Sequence, residues 1–301
     1  MAEPAEFEKQ RERLWGIAYR ITGSVADADD ALQDAWLRWQ RLPADRADNP
    51  AGYLTAVVSR ICYDQLTSAR ARRESYVGPW LPEPVVTAAG PEERVTLDES
   101  VGTALLTVLE RLTPAERTAL VLHDVFAVPF AEIADVVGRT PDSVRQLASR
   151  ARRRVRAEAP RRTVDRAEHR RTVDAFLAAV GGGDLEGLMK VLDPQVVWRS
   201  DGGGMVGVAR VPVVGRDKVT QFIGHVLSRF VPGRTRLALH DVNGAPGLVA
   251  TDIAEDTEDA GNHWCAVYAF TVHEGLVTRI DCTLNPAKLA HLDPTALHGA
   301  L

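Results

Sequence analysis

The residues best placed to do chemistry lie between Thr113 and Arg156. Ser143, Arg145, Gln146, Ser149, Arg150, Arg153 and Arg154 recur at helical spacing, and all are types that donate hydrogen bonds to guanine and adenine edges or to phosphates. The alternative is a solvated basic face on an ordinary bundle, but a chain of net charge -5 has little other reason to gather arginine there. A second set, Asp201, His225, Asp252, His263 and Asp281, could move protons if an acid and a base met in one pocket. No spacing among them forces such a meeting, and a lone Asp or His on a strand is more often a satisfied polar group. No catalytic residue, metal site or cofactor is therefore expected. Cys62, Cys265 and Cys282 are far apart in apolar-patterned stretches without metal-ligand spacing, and read as buried free thiols in a reducing compartment.

The basic residues need a scaffold, and the flanking sequence supplies one. Thr113 is an N-cap, Pro114 takes the first helical position and Glu116 completes a capping box. Leu120, Val121 and Val125 give this helix its buried face, and Pro129 closes the connection. A short helix over Phe130–Val137 turns Ile133, Ala134 and Val137 inward and breaks at Gly138-Arg139-Thr140. Thr140-Pro141 then starts a helix to about Arg156, with Val144, Leu147, Ala148 and Ala151 inside. Two short helices, a glycine turn and a second helix make a helix-turn-helix.

Upstream, the apolar spacing predicts a helix over Phe7–Ile21 ending at Gly23. A second follows over Ala26–Arg41, capped by Ser24 or Asp27, with Leu32, Ala35, Trp36 and Trp39 inward. Its other face carries Asp29, Asp30, Gln33, Asp34 and Arg38. After a polar loop, Pro43–Pro50, a long helix over Ala51–Arg73 buries Tyr53, Leu54, Val57, Ile61 and Leu66. This helix becomes more basic toward its end, which suits its own dipole and also DNA phosphate. Arg60, Arg70, Arg72 and Arg73 form one basic cluster and Arg145 to Arg162 another, suggesting two contacts with one nucleic acid. Met1 to Arg13 is charged and no apolar run approaches a membrane span, so no membrane association and a cytoplasmic location are expected.

The run Asp-Ala-Asp-Asp-Ala-Leu-Gln-Asp-Ala-Trp at 27–36, followed in order by the Leu-Thr-Pro-Ala-Glu-Arg helix-turn-helix, resembles the extracytoplasmic-function, group IV, sigma factors of RNA polymerase. The resemblance covers Phe7 to Glu158. It implies that Asp30, Gln33, Asp34 and Arg38 dock on the polymerase core. It also implies that Arg46, Asp48 and Asn49, with Arg60 and Arg70, hold the melted −10 element, where a polar pocket can compensate a flipped base. Ser143, Arg145, Gln146, Ser149, Arg150 and Arg153 would read the −35 element. The expected division is region 2 at 1–74, a linker at 75–97, region 4 at 98–159 and a further domain at 160–301.

The linker Tyr76-Val-Gly-Pro-Trp-Leu-Pro-Glu-Pro84 holds two aromatics and three prolines, which favour a stiff, extended path. Trp80 and Leu81 either pack on a neighbouring domain or have a functional role. A helix is expected over Pro91–Leu112, with Val95, Leu97, Val101, Leu105, Leu106 and Leu109 inward. Past Pro160, helices over Thr163–Val180 and Asp184–Leu192 lead to strands at Gln195–Ser200, Thr235–Asp241, Leu248–Ile253, His263–Val272 and Leu276–Leu284. A helix over Asp217–Phe230 separates the first two, so a curved antiparallel sheet in an α+β domain is expected.

This half resembles the SnoaL-like members of the nuclear-transport-factor-2 superfamily, a cone with an internal pocket. Asp201-Gly-Gly-Gly-Met205, Asn285-Pro-Ala-Lys-Leu289 and Trp80-Leu-Pro-Glu-Pro84 together are similar to the group of sigma factors with a fused SnoaL-like extension. The fold implied is multidomain: two all-α sigma domains, the second a helix-turn-helix, followed by an α+β cone. Trp80, Leu81, Pro82, Asp201, Gly202, Gly203, Gly204, Asn285, Pro286 and Lys288 are the expected regulatory contacts. Through them the cone would modulate promoter recognition in cis, with room for a small ligand of unspecified chemistry. The family pattern has Lys at 205 and Asp at 287, so Met205 and Ala287 cannot supply a salt bridge. The alternative function is a DNA-binding regulator with a ligand-sensing or enzymatic cone.

Overall fold

A computed structural model describes residues 3–43, 49–74, 76–88, 103–158, 164–228, 235–252, 265–293 and Leu297. The chain divides into two compact units. One comprises Met1–Ser75 with Leu105–Ala159, and the other Tyr76–Ala104 with Pro160–Leu301. The expected linker thus belongs largely with the C-terminal domain.

The first unit is helical. α1 (Pro4–Thr22) starts with proline at its first turn and ends at Gly23, which is left-handed at φ 74°. α2 (Val25–Gln40) is capped by Ser24, whose side chain accepts from the Asp27 amide at 3.0 Å. α3 (Pro50–Glu74) completes a three-helix module around Leu14, Ile17, Leu32, Trp39, Leu54 and Val58, all buried. Trp39 donates from Nε1 to the Glu3 carbonyl at 2.9 Å, so its one polar atom is satisfied. Trp36, expected inside, is only half-buried.

α4 (Thr103–Leu109) buries Leu106, Val108 and Leu109, while Leu105 is half-buried; the earlier part of the expected 91–112 helix lies outside the described residues. α5 (Pro114–Leu120) has the full capping box. A π-turn over Val121–Val125 follows it. The wider turn advances the helix phase, so Leu122 takes the buried place and Val125, expected inside, is half-buried. α6 (Phe130–Val137) ends at left-handed Gly138, and α7 (Pro141–Glu158) buries Val144, Leu147, Ala148 and Ala151.

The second unit is an α+β cone. α8 (Arg166–Gly182), α9 (Leu185–Val191) and α10 (Arg216–Leu227) accompany strands β1 (Val86–Ala88), β2 (Leu192–Asp201), β3 (Val213–Val214), β4 (Thr235–Val242), β5 (Ala245–Asp252), β6 (Cys265–His273) and β7 (Leu276–Thr283). A short α11 (Pro286–Leu289) closes the series. The sheet order is β1-β4-β5-β6-β7-β2-β3. Hairpins β4–β5 and β6–β7 turn at Asn243-Gly244 and Glu274-Gly275, each pair with both φ positive, as tight hairpins require.

The sheet is not wholly antiparallel as expected: β2 and β7 pair in parallel, Trp198 opposite Ile280 and Arg199 opposite Asp281. Hydrophobic alternation fixes which face a side chain takes. It carries no information on strand direction, which the α10 crossover reverses here.

Each face has its own core. Phe176, Leu188, Trp198, Ile223, Tyr268, Phe270 and Ile280 fill the helix-covered side, with Trp198 edge-on to Phe222 at 5.4 Å and to Tyr268 at 5.8 Å. Val242, Val249, Val267 and Leu289 form a smaller core on the other face, joined by Val86 of β1.

Burial, reinforced by Arg166, pushes His169 of α8 down to about 4, with Asp241 acting in the opposite sense. The folded value lies below the ordinary one, so the stabilisation is present above pH ~6.5 and is lost as pH falls toward about 4. It is worth at most ~3 kcal/mol. Thermal unfolding at pH 7.5 and 4.5 should show a larger loss for the natural protein than for His169→Gln; equal losses would refute this assignment.

Candidate functional site

The α7 surface is built as the sequence implied. Thr140 Oγ1 accepts from the Ser143 amide at 3.3 Å, and the apolar stripe seats the helix against α5 and α6. Arg145, Gln146, Ser149, Arg150 and Arg153 are exposed, and Ser143 is half-buried. Arg145 pairs with Asp142 in the first turn. Arg150 and Arg154 reach back to Glu116, at 3.5 and 3.1 Å. Burial works to raise the Glu116 carboxyl, but Thr113 hydrogen bonds and these two arginines outweigh it and hold it below its ordinary range. Arg152 forks onto Asp124 at 2.6 and 2.7 Å and braces α7 from the side. Ser143, Arg145, Gln146, Ser149 and Arg153 thus line one exposed helix face of groove-reading chemistry.

On α2, Asp30, Gln33, Asp34 and Arg38 are all exposed along one face, with Leu37 among them at 43% exposure. Of the proposed −10 residues, Arg46 and Asp48 lie outside the described residues, as does the side chain of Arg70. Asn49 caps α3, its Oδ1 accepting from the Gly52 amide at 3.0 Å. Arg60 is not turned wholly to solvent: it donates to the Val136 carbonyl at 2.7 Å and lies 3.5 Å from Asp64.

The motifs of the second unit converge on one buried carboxylate. Asp201, 1% exposed at the end of β2, accepts from the Tyr76 hydroxyl on Oδ1 and from the Leu81 amide on Oδ2 at 2.9 Å. Lys288 Nζ sits 2.8 Å from the same Oδ2, donates also to the Leu81 carbonyl, and lies 3.4 Å from the centre of the Trp80 ring. Tyr76 and Trp80 meet edge-on at 4.6 Å and wall this ammonium. Asn285 donates from Nδ2 to the Tyr76 hydroxyl at 2.9 Å, while its Oδ1 caps α11 through the Ala287 amide. Burial, then Asp201, raises the Tyr76 phenol above its ordinary value, so it stays a proton donor.

Gly202 and Gly203 are required by this packing, and Gly204 by its left-handed φ of +73°. A Cβ on Gly203, at φ +65°, would stand 2.6 Å from Asn285 Cγ, and one on Gly202 would stand 2.6 Å from the Val206 carbonyl. Leu81 and Pro82 are buried, whereas Pro286 is exposed and serves as the first residue of α11. Met205 is 63% exposed and Ala287 is exposed, so the buried ion pair runs through Asp201 and Lys288 and does not need positions 205 and 287.

Beyond Trp80, the linker continues into the sheet. Val85 donates to Asn243 Oδ1 at 2.9 Å, and β1 pairs with β4 in antiparallel register, Val86 opposite Val242. Tyr76 and β1 were not singled out from the sequence. The four-residue spacing of Tyr76 and Trp80 was the available signal.

The proton-transfer candidates do not come together among the described residues. Asp201 is consumed by the linker contacts and Asp281 by Arg199, at 2.5 Å, although burial still raises the Asp281 carboxyl. Both lie on β2 and β7 positions alternate to Trp198, Ser200 and Ile280, hence on the face away from the larger core. His225 is exposed on α10, and the Asp252 side chain and His263 lie outside the described residues. Cys62 and Cys282 are buried and Cys265 is half-buried; burial raises all three thiols, Cys265 to about 11. No helix among the described residues is long and apolar enough to cross a membrane.

Comparison with known proteins agrees with this geometry. Residues 7–72 match the family described as Sigma-70 region 2, 102–155 match Sigma-70, region 4, and 173–280 match the SnoaL-like domain. The chain is 42% identical to the ECF RNA polymerase sigma factor SigJ of Mycobacterium tuberculosis, over 95% of this chain and 93% of that one. It is 35% identical to a probable ECF RNA polymerase sigma factor, SigI, of the same organism, over 95% and 94%. The crystal structure of the SigJ protein superposes with a TM-score of 0.76 at 40% identity, covering 96% of this chain and 98% of that one. With both promoter-reading modules, their order and the fused cone all present, the chain belongs to the extracytoplasmic-function sigma factors, which direct RNA polymerase to promoters for transcription initiation.

Proposed function

We propose that this sigma factor carries its own regulator, the C-terminal cone, and that the regulator acts by holding the linker between regions 2 and 4. The observation that carries the reading is the buried Asp201–Lys288 pair closed over Tyr76, Trp80 and Leu81. A linker that must let two modules spread along a promoter is here fixed as an edge of another domain's sheet. Release costs that pair its partner and β1 its hydrogen bonds, so few-kcal/mol differences between held and released forms can set activity.

In this reading Asp30, Gln33, Asp34 and Arg38 engage the polymerase core. Arg46, Asp48, Asn49, Arg60 and Arg70 serve the −10 element, and Ser143, Arg145, Gln146, Ser149, Arg150 and Arg153 read the −35 element. The cone takes no part in catalysis, because its three described buried carboxylates, Asp201, Asp241 and Asp281, are each engaged in a salt bridge.

The test is run-off transcription from the cognate promoter with the full chain and with a chain ending at Ala159. Promoter use that changes severalfold on truncation supports regulation in cis; identical promoter use and polymerase binding would remove it. A full-length protein that yields no polymerase-dependent transcript at any promoter would instead favour a DNA-binding regulator with a ligand-sensing cone.

A further inference from the structure

Arg145 differs from Arg150, Arg152 and Arg154 of the same helix in what holds it. Arg150 and Arg154 reach back to Glu116, and Arg152 to Asp124, so those three brace α7 against α5 and the π-turn. Arg145 lies instead over the ring of Phe130, its guanidinium carbon 5.7 Å from the ring centre. It also pairs with Asp142, but the two side chains are 58% and 85% exposed. An exposed pair of this kind is weak and screened by salt. Next to DNA phosphate the Asp142 carboxylate is moreover a repelling neighbour, whereas the Phe130 ring is not.

Phe130 is the first residue of α6 and half-buried, so the helix alone does not fix its ring. His123 does. Its ring stacks on Phe130 with centres 3.8 Å apart and planes 26° from parallel. His123 Nδ1 lies 3.0 Å from the Val128 carbonyl; a carbonyl only accepts, so Nδ1 carries the hydrogen and the imidazole is pinned in its plane. Two backbone bonds close the loop between the rings, from the Ala127 amide to the His123 carbonyl at 3.1 Å and from the Val128 amide to the Leu122 carbonyl at 2.9 Å. This closure holds Ala127 at φ 55°, a costly conformation for a residue with a side chain, which persists only where its surroundings over-determine it. The strained loop is what returns Phe130 onto His123.

From this stack we infer that Phe130, braced by His123, is a positioning residue that aims Arg145 and so sets the base preferred at one position of the −35 element. The inference rests on the assignment of α7 to that element made above. A guanidinium held on a ring face keeps its N–H groups, which lie in its own plane, free for two hydrogen bonds to guanine O6 and N7. A long arginine side chain otherwise loses much rotamer freedom on binding, and a ring that holds it in one direction beforehand lowers that cost. On meeting the duplex, Arg145 exchanges Asp142 for a base edge and stays on Phe130. Neither His123 nor Phe130 needs to touch DNA for this.

The test presents the full-length protein, bound to core polymerase, with promoter DNA randomised across the −35 element, and counts the sequences retained. Arg145→Ala should flatten the preference at one base position by roughly tenfold. Phe130→Leu keeps an apolar side chain but removes the ring; it should flatten that same position about three- to fivefold, leave the other positions alone and add nothing in the Arg145→Ala background. Phe130→Tyr should restore the preference. His123→Ala, which leaves the ring in place but unbraced, should flatten the same position about twofold, and it reads the same contact should Phe130→Leu fail to fold. Variants at 130 and 123 that lower retention of all sequences alike, that change nothing, or whose effect persists undiminished beside Arg145→Ala would overturn the positioning role. Arg145→Ala that shifts no base preference would reject the assignment of Arg145 to the −35 element, and the positioning role with it.

Discussion

Lys288→Met should release the linker from the cone and destabilise the C-terminal unit by ~3 kcal/mol, the lower end of the cost of orphaning one member of a buried ion pair. The lower end applies because Asp201 keeps three donors, the Tyr76 hydroxyl and the Leu81 and Gly203 amides. For a domain of this size that is a fall of roughly 6–12 °C in Tm. Amides from Tyr76 to Ala88 should lose hydrogen-exchange protection before the rest of the sheet, since β1 is a three-residue edge strand anchored by the clamp. Adding Asp201→Asn should recover part of the loss, because the two sites share one interaction. Met205→Lys, at an exposed position, should change neither quantity by more than ~0.5 kcal/mol. Undiminished protection of the linker amides in Lys288→Met would show that β1 pairing alone holds the segment. The proposed control point would then be misplaced.

A second large effect is expected on the opposite side of the chain. Replacing Asp30, Gln33 and Asp34 together by alanine should weaken capture of core polymerase at least ~100-fold, or ~3 kcal/mol, while leaving thermal stability unchanged or slightly raised. All three are exposed on α2 and alanine is the better helix former, so loss of binding cannot be charged to loss of fold. Leu37, exposed in the same face, is the apolar centre that such a charged rim would surround. Co-migration with core enzyme on gel filtration reads the effect directly. A triple variant that still co-migrates and initiates normally would move the polymerase contact elsewhere.

The two results bear on different steps. The α2 variant removes recruitment, whereas the Lys288 variant alters how freely regions 2 and 4 can separate after recruitment. Their kinetic signatures differ accordingly: the first shifts the polymerase concentration at which initiation saturates, and the second shifts the promoter concentration at which it saturates.

The sequence by itself determined whatever depends on neighbours a few residues apart. The Thr113–Glu116 capping box, the Ser24 cap, the Gly23 and Gly138 helix ends and the apolar stripe of α7 are all local, and the folded chain has them where spacing put them. The exposed faces of α2 and α7 follow, because a helix that buries one stripe must present the other.

Tertiary structure alone decided what joins residues far apart in the chain. The motifs around Asp201 and Lys288 were legible, but not that Tyr76, more than a hundred residues earlier, completes them, nor that the supposed tether ends as a sheet edge. Alternation could not tell that β2 runs parallel to β7, and helical periodicity could not foresee the π-turn that rotates Leu122 inward and aims Phe126 outward. Nor could composition reveal that Arg117, the single arginine of α5, would be buried against a carbonyl ninety-seven positions away. The reason is common to all of these. Local propensity fixes the shape and polarity of an element at its own address, whereas a buried charge is stable only beside a partner that the completed fold brings to it.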